Sequence, residues 1–410
     1  LGGYNASGST YEIEDSAANI TASNDQLMQN GTIKVDVTDT DVNASIGNTL
    51  AAFTADIEFD VSDTAANIAA QIDAGNGTNG TGYGADSLED AGSVVVESGS
   101  AVLASQAESI QDLVNYSGGD IDITDSAANL ISAGDHVLNV TGVDTVTVNA
   151  AGTGSTVTAQ DGAILAGFTA DVEFDVVDDV SDLKAIMGQN DAASYLTEAN
   201  SITVDNGSGD RVVGAQDGAI LASFTADVDF DVVATADEIA AELTGSIAPG
   251  TGVNSLDEAA DVVVSGGDVD AEDAAAIMQI SGYNTGGSQF EITDDVASVI
   301  SAGTGVIENG GVSKVEVTGV ADVSEGVALN TYTSNVEFDV SGTADDIFAE
   351  VNNLGDADDV FVVSGDVSIS EAQSIQSLGG YNASGSTYEI EDSAANITAS
   401  NDQLMQNGTI

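Results

Sequence analysis

Cysteine is absent from these 410 residues, proline and histidine occur once each (Pro249 and His136), and lysine and arginine together number 4. Each shortage excludes something. Without cysteine there are no disulfides, no thiolate zinc site and no thiol nucleophile. A single histidine leaves almost no material for a histidine metal site or a nucleophile–base pair, so the chain does not read as an enzyme. Against 69 aspartates and glutamates, the few cations leave a formal net charge of −65. That excludes nucleic acid, whose binding requires cations to neutralise phosphates, and anionic membrane surfaces for the same reason. No apolar run approaches the ~18 residues of a membrane span. With one proline and no long polar stretch, there is no obvious linker. The chain starts at Leu1 without a methionine or signal peptide, as a fragment of a larger product would.

What is present is patterned. Hydrophobic residues make up 42% of the chain and recur periodically, which favours a fold over acidic disorder. Residues 1–33 and 378–410 are the same sequence, LGGYNASGSTYEIEDSAANITASNDQLMQNGTI. Packing alone does not keep exposed Asn, Ser and Gln unchanged. Residues 1–377 therefore read as one full tandem period and 378–410 as the start of the next, in a continuous array without separate globular domains.

The period has its own repeat. YEIEDSAANI from Tyr11 returns as FDVSDTAANI (Phe59), IDITDSAANL (Ile121), FDVVDDVSDL (Phe174), FDVVATADEI (Phe230), FEITDDVASV (Phe290) and FDVSGTADDI (Phe338), seven units of about 54 residues. The first column is aromatic but for Ile121, and the third is always β-branched. The column between is always acidic: Glu12, Asp60, Asp122, Asp175, Asp231, Glu291 and Asp339. Such in–out–in alternation predicts a strand with one wet face. Two positions on, Asp15, Asp63, Asp125, Asp178 and Asp294, with Ala234 and Gly342 as exceptions, read as N-caps of short helices carrying an Ala/Ile stripe. Each unit then carries a second strand, such as IKVDV from Ile33 or SKVEVTG from Ser313. The third unit offers two candidates, HVLNVTG from His136 and TVTVNA from Thr145. Return segments read as helical (SISEAQSIQSL from Ser368) or compact (AQDGAILAGFTADVEFDVV from Ala159). The compact one has a twin at Ala215 matching at 17 of 19 positions, the mark of a duplicated unit.

Stacked about an axis, such units predict a β-rich α/β solenoid, a right-handed parallel rod with short helices. There is a conflict in it: strands stack at ~4.8 Å, whereas helices want roughly 8–10 Å. In a stacked ladder the acidic column would form a rail of carboxylates, joined by Glu58, Glu173, Asp229 and Glu337 and by Asp56, Asp171 and Asp227. One reading is a repulsive face that keeps rods soluble. The other is calcium between rungs. The discrete candidates for calcium are Asp120, Asp122 and Asp125 in SGGDIDITD and Asp268, Asp270 and Asp273 in SGGDVDAED, at turns where backbone carbonyls could join. No other cofactor is implied.

The pieces EDSAANI, SDTAANIAAQI and TDSAANLI, each after a short β-run, resemble the repeats of giant bacterial cell-surface proteins, including repeat adhesins and surface proteins of cyanobacteria and other marine bacteria. That resemblance lies in repeat style across the whole chain. It implies secretion and an extracellular or cell-surface location, with the chain's partners being itself, head to tail, and neighbouring filaments. The expected role is an extracellular filament, fibre or surface layer. The alternative is the stalk of an adhesin whose binding tip lies elsewhere.

Overall fold

Short β-branched strands followed by alanine-rich helices recur along the computed structural model, which describes residues 10–23, 32–75, 87–97, 101–149, 154–187, 196–224, 226–245, 256–400 and 404–407. Contacts divide the chain into two compact units, Leu1–Thr203 and Val204–Ile410. The burial pattern follows the sequence columns closely. Phe59, Ile121, Phe174, Phe230, Phe290 and Phe338 are buried, as are Val61, Ile123, Val176, Val232, Ile292 and Val340. The helical aliphatics Ile20, Ile68, Leu130, Leu183, Ile239, Val299 and Ile347 are buried too. Each unit therefore seals a strand face against one stripe of a helix.

Among the described residues the strands form seven small parallel sheets of two to five strands. In the first unit, Tyr11–Asp15, Thr32–Val37 and Ile57–Glu58 make one sheet, and Val61–Thr64, Val94–Glu97 and Tyr116–Gly119 another. A third joins Ile121–Asp125, Val143–Val148 and Val172–Glu173. The second unit holds the longest sheet, running Asp268–Val269, Phe290–Asp295, Val312–Ala321, Val336–Thr343 and Asp359–Ser364.

This overturns the expected right-handed parallel β-solenoid of seven stacked ~54-residue units. No sheet closes and none runs the length of either unit. Nor do the seven motif strands stack on one another. Ile13 pairs with Val35, Ile123 with Val146 and Ile292 with Val315, so a motif strand's neighbour is the intervening second strand. The ladders break inside the motifs. Ile57 pairs back with Val35, whereas Val61, across Phe59 and Asp60, pairs forward with Val94. The physical reason is the conflict of spacings. Both kinds of return segment are helices, Ala159–Leu165 and Ala215–Ala222 as much as Ile369–Gln376. With a helix in every repeat, a continuous 4.8 Å ladder cannot be kept, and the extended segments change partners. Of the two candidate strands in the third unit, the one from Thr145 forms within Val143–Val148, and His136 lies in the short helix Asp135–Leu138.

The helices of the compact segments each carry a glycine against an aromatic. A Cβ on Gly218 would sit 2.7 Å from Val232 Cγ2 and 3.2 Å from Phe230 Cε2; on Gly162 it would sit 2.9 Å from Val176 Cγ2 and 3.1 Å from Phe174 Cε2. Gly47 meets Val61 and Phe59 in the same way. Here glycine is required by space, against its poor helix propensity. Gly218→Ala is expected to lower stability in urea unfolding by about 1–2 kcal/mol, the overpacking cost exceeding the ~1 kcal/mol gained in helix propensity. Gly305→Ala, which meets nothing within 4 Å, is the control and should be neutral or mildly stabilising.

Candidate functional site: carboxylates between repeats

The aspartate five places into the motif does something other than cap its own helix. The N-cap is the next residue: Ser16 accepts from Asn19 N and Ser126 from Asn129 N. The aspartate holds two units together instead. Asp125 Oδ1 accepts from Ser126 N at 2.7 Å and from Asn129 Nδ2 at 2.7 Å, and its Oδ2 accepts from Ala104 N at 3.0 Å, at the first turn of the preceding helix Ala104–Gln111. The same bond to a preceding helix runs from Ala44 N to Asp63, Ala159 N to Asp178, Ala271 N to Asp294 and Ile369 N to Asp392. Asp39, outside the motif, serves Ala17 N in the same way. The sequence distance spanned is 19 to 23 residues. A carboxylate at a helix N-terminus satisfies an orphan N–H and meets the positive end of the helix dipole. Where the motif has Gly342 in place of aspartate, Val323 of the preceding helix packs into the space a side chain would need.

The acidic column is not a continuous rail. Its carboxylates face hydroxyls, cations or backbone from intervening strands. Asp60 accepts from Ser93 Oγ at 2.7 Å, Asp122 from Thr145 Oγ1 at 2.6 Å, and Asp175 from Ser201 Oγ at 2.7 Å and from Ser155 Oγ. Asp339 accepts from Asp359 N at 3.1 Å. Glu12 stands opposite Lys34, and Glu291 between Asp268 and Lys314. Three of the four cations lie among these acids. Lys34 bridges Asp36 (3.0 Å) and Glu58 (2.7 Å), Lys314 bridges Glu316 (3.2 Å) and Glu337 (2.7 Å), and Arg211 bridges Asp229 (2.5 Å) and Asp231 (3.3 Å). These acids hold the Lys34 and Lys314 ammoniums well above the ordinary lysine range.

The residues named for calcium are dispersed among structural tasks. Asp120 is exposed beyond the strand Tyr116–Gly119, Asp122 holds Thr145, and Asp125 is buried in the cross-repeat cap. Asp268 is a strand residue, and Asp270 caps the helix Ala271–Ile277 by accepting from Asp273 N at 2.8 Å. Burial, then Asp270 and Glu272, raise Asp273 above the usual carboxylate range. Among the described residues one carboxylate triple has ligand oxygens within 4.8 Å of one another, Asp178, Asp179 and Asp182, which the sequence did not single out. Of these, Asp178 caps Ala159 and Asp179 accepts from Asp182 N at 2.9 Å; Asp179 and then Asp178 raise Asp182. His136 is mostly exposed, with its Nε2 3.7 Å from Glu108 Oε1.

Sequence reasoning missed a buried serine device. In GYNTGGS the Ser288 Oγ donates to Asn284 O (2.7 Å) and accepts from Val264 N (3.0 Å); in GYNASGS the Ser386 Oγ does the same with Asn382 O (2.7 Å) and Val362 N (3.1 Å). The shared GYN-x-x-Gly-Ser spacing was the available signal.

Asp125→Ala should cost about 2–3 kcal/mol in urea unfolding, because it strands buried N–H donors, whereas Asp125→Asn should cost about 1 kcal/mol, since the amide keeps an acceptor. The pH profile of melting should show two limbs. Asp182, Asp273 and Asp358 sit above their ordinary range, so their ionised forms destabilise the fold and protonation relieves them as pH falls from neutral. Asp15, Asp392 and the N-cap Asp295 are held below their ordinary range by the side-chain and backbone donors around them, so their contribution is lost as pH drops through their folded values. Melting temperature should therefore rise as pH approaches the ordinary carboxylate range of about 4 from above, and fall steeply below it. No family model matches the chain, and no curated protein matches it.

Proposed function

We propose that this chain is a structural protein, a stretch of a tandem-repeat array that builds an extracellular filament, fibre or surface layer. The observation that carries this reading is the packing of the second copy of the repeated sequence. Residues 378–410 continue the repeat pattern of the preceding residues. Asp366 and Val367 pair with Glu389 and Ile390, and Asp392 caps the helix Ile369–Gln376 through Ile369 N at 3.1 Å. These are the interactions that join interior repeats, so one period follows another with no change of geometry at the junction. The acidic surface supports it as well: like-charged repeats resist collapse and bundling and need no cationic partner. Carboxylates engaged as caps and ion-pair partners are scaffold chemistry, set out repeat after repeat and not gathered in one cleft.

The mass of the native product on a denaturing gel tests the reading. A species several periods in mass is expected. A product no larger than one period would overturn the covalent array.

A further inference from the structure

One joint between repeats lacks the carboxylate that ties the others. The motif strand Val336–Thr343 carries Gly342 in its place, and Val323 packs where the side chain would be. Other neighbouring helices pack on one another, as Ala44–Ala51 does on Ala65–Gly75 and Ala104–Gln111 on Ala127–Ala133. At Ala234, the second exception to the aspartate, Ala215–Ala222 still packs on Ala236–Gly245. Val323–Leu329 and Ala344–Ala349 do not pack on one another in this way, and a cleft of about 620 Å³ lies between them. Its walls are of two kinds. Val323, Val327, Ala349 and Val363 give an apolar side, with Val363 53% exposed. Asp322, Asp346 and Glu350 give an acidic rim, and no lysine, arginine or histidine lines the cleft. Each acid is steadied through one oxygen. Asp322 Oδ1 accepts from Glu325 N at 2.8 Å, Asp346 Oδ2 from Thr343 Oγ1 at 2.7 Å, and Glu350 Oε2 from Asn353 Nδ2 at 2.7 Å. The other oxygen of each has no donor among the described residues.

We propose that this cleft binds a small organic ammonium ion with an aliphatic body. The aliphatic part lies against Val323, Val327 and Val363, and the ammonium sits among Asp322, Asp346 and Glu350. The volume is in the range of small-molecule sites. Burial of the aliphatic part and attraction between unlike charges then act together. A neutral apolar molecule gains only the first, and an anion is repelled by the rim. The three carboxylates do not converge as Asp178, Asp179 and Asp182 do, so the rim suits an extended organic cation better than a bare metal ion. A second copy of this chain is a poor occupant. Its lysines and arginines number 4, and Lys34, Lys314 and Arg211 are already held in ion pairs. The site goes beyond the filament reading and does not depend on it.

Calorimetric titration of the whole chain with hexylammonium should saturate at one site. From butyl- to octylammonium the affinity should rise by up to about fourfold for each added methylene. Hexanol should bind several-fold more weakly than hexylammonium, and hexanoate should not bind. Glu350→Gln should weaken hexylammonium by about three- to fivefold. Asp345→Asn removes the same charge from an exposed position of the same helix outside the cleft, and should leave binding unchanged. Ala349→Trp, also at an exposed position, fills the cleft and should abolish binding with little change in melting temperature. The site is overturned by the absence of saturable binding, by an affinity indifferent to chain length, or by undiminished binding in a folded Ala349→Trp variant. Equal losses in Asp345→Asn and Glu350→Gln would also overturn it, by showing attraction to the acidic surface at large. So would a dimer of the unliganded chain that Ala349→Trp dissolves, because a second copy would then be the occupant.

Discussion

A single carboxylate placed between two repeats governs how this chain is built. One oxygen of Asp125 holds its own turn, through Ser126 N and Asn129 Nδ2, and the other reaches back to the first free N–H of the preceding helix. The group thus fixes strand end, helix start and neighbouring helix at once. Short helices need this. At six to eight residues, most of their N–H and C=O groups are terminal, and isolated helices of that length are not stable in water. Tying the first N–H of six of these helices, those beginning at Ala17, Ala44, Ala104, Ala159, Ala271 and Ile369, to a carboxylate further along the chain couples marginal helices to their neighbours. It also explains why the repeat cannot be read as independent beads: the cap of one helix is encoded about twenty residues downstream.

The same device makes the charge tolerable. A net charge of −65 would oppose compaction if the carboxylates merely lined a surface. Instead many of them meet donors. Serine and threonine hydroxyls from intervening strands face Asp60, Asp122 and Asp175, helix N-termini face the capping aspartates, and Lys34 and Lys314 each pair with one acid on their own strand and one on the next, while Arg211 pairs with Asp229 and Asp231. Intervening strands are what separate one acidic motif strand from the next. The ladder of seven like charges that a strict stacking of motifs would require is electrostatically poor, and breaking the sheets into short pieces removes it.

Local structure was legible in the sequence and long-range pairing was not. Alternation placed Phe174, Val176 and their equivalents in the core, and the Ala/Ile spacing placed Ile68 and Leu130 on buried helix faces. Those signals depend on the period of side chains along one element. Which strand lies beside which depends on the length between elements, and here two frequencies compete: the motif returns about every 54 residues while the structural neighbour lies about 22 away, as in Ile13 and Val35. The aspartates that read as caps of the helix after them bind the helix before them instead, because the residue beside them is an equally good N-cap and the pattern does not encode which oxygen points where. The carboxylates of SGGDIDITD were noticed for their density, yet density says nothing of direction, and the fold sends Asp120, Asp122 and Asp125 to different partners.

Short reach also explains how such a chain could grow by copying. The near-identical segments from Ala159 and Ala215 each contain both members of the close approach that fixes their helix, Gly162 with Phe174 and Gly218 with Phe230. A duplicated block therefore carries its own complementary pair and creates no cavity or clash on insertion. Its remaining bonds, from Asp178 back to Ala159 for example, reach one repeat and no further. In a fold whose pairings were long-range in sequence, the same duplication would separate partners and leave buried groups unmatched. Here each new repeat finds on its neighbours the surface its template found: the strand at Tyr11–Asp15 takes a following strand and its copy at Glu389–Ile390 a preceding one, in matching parallel registers.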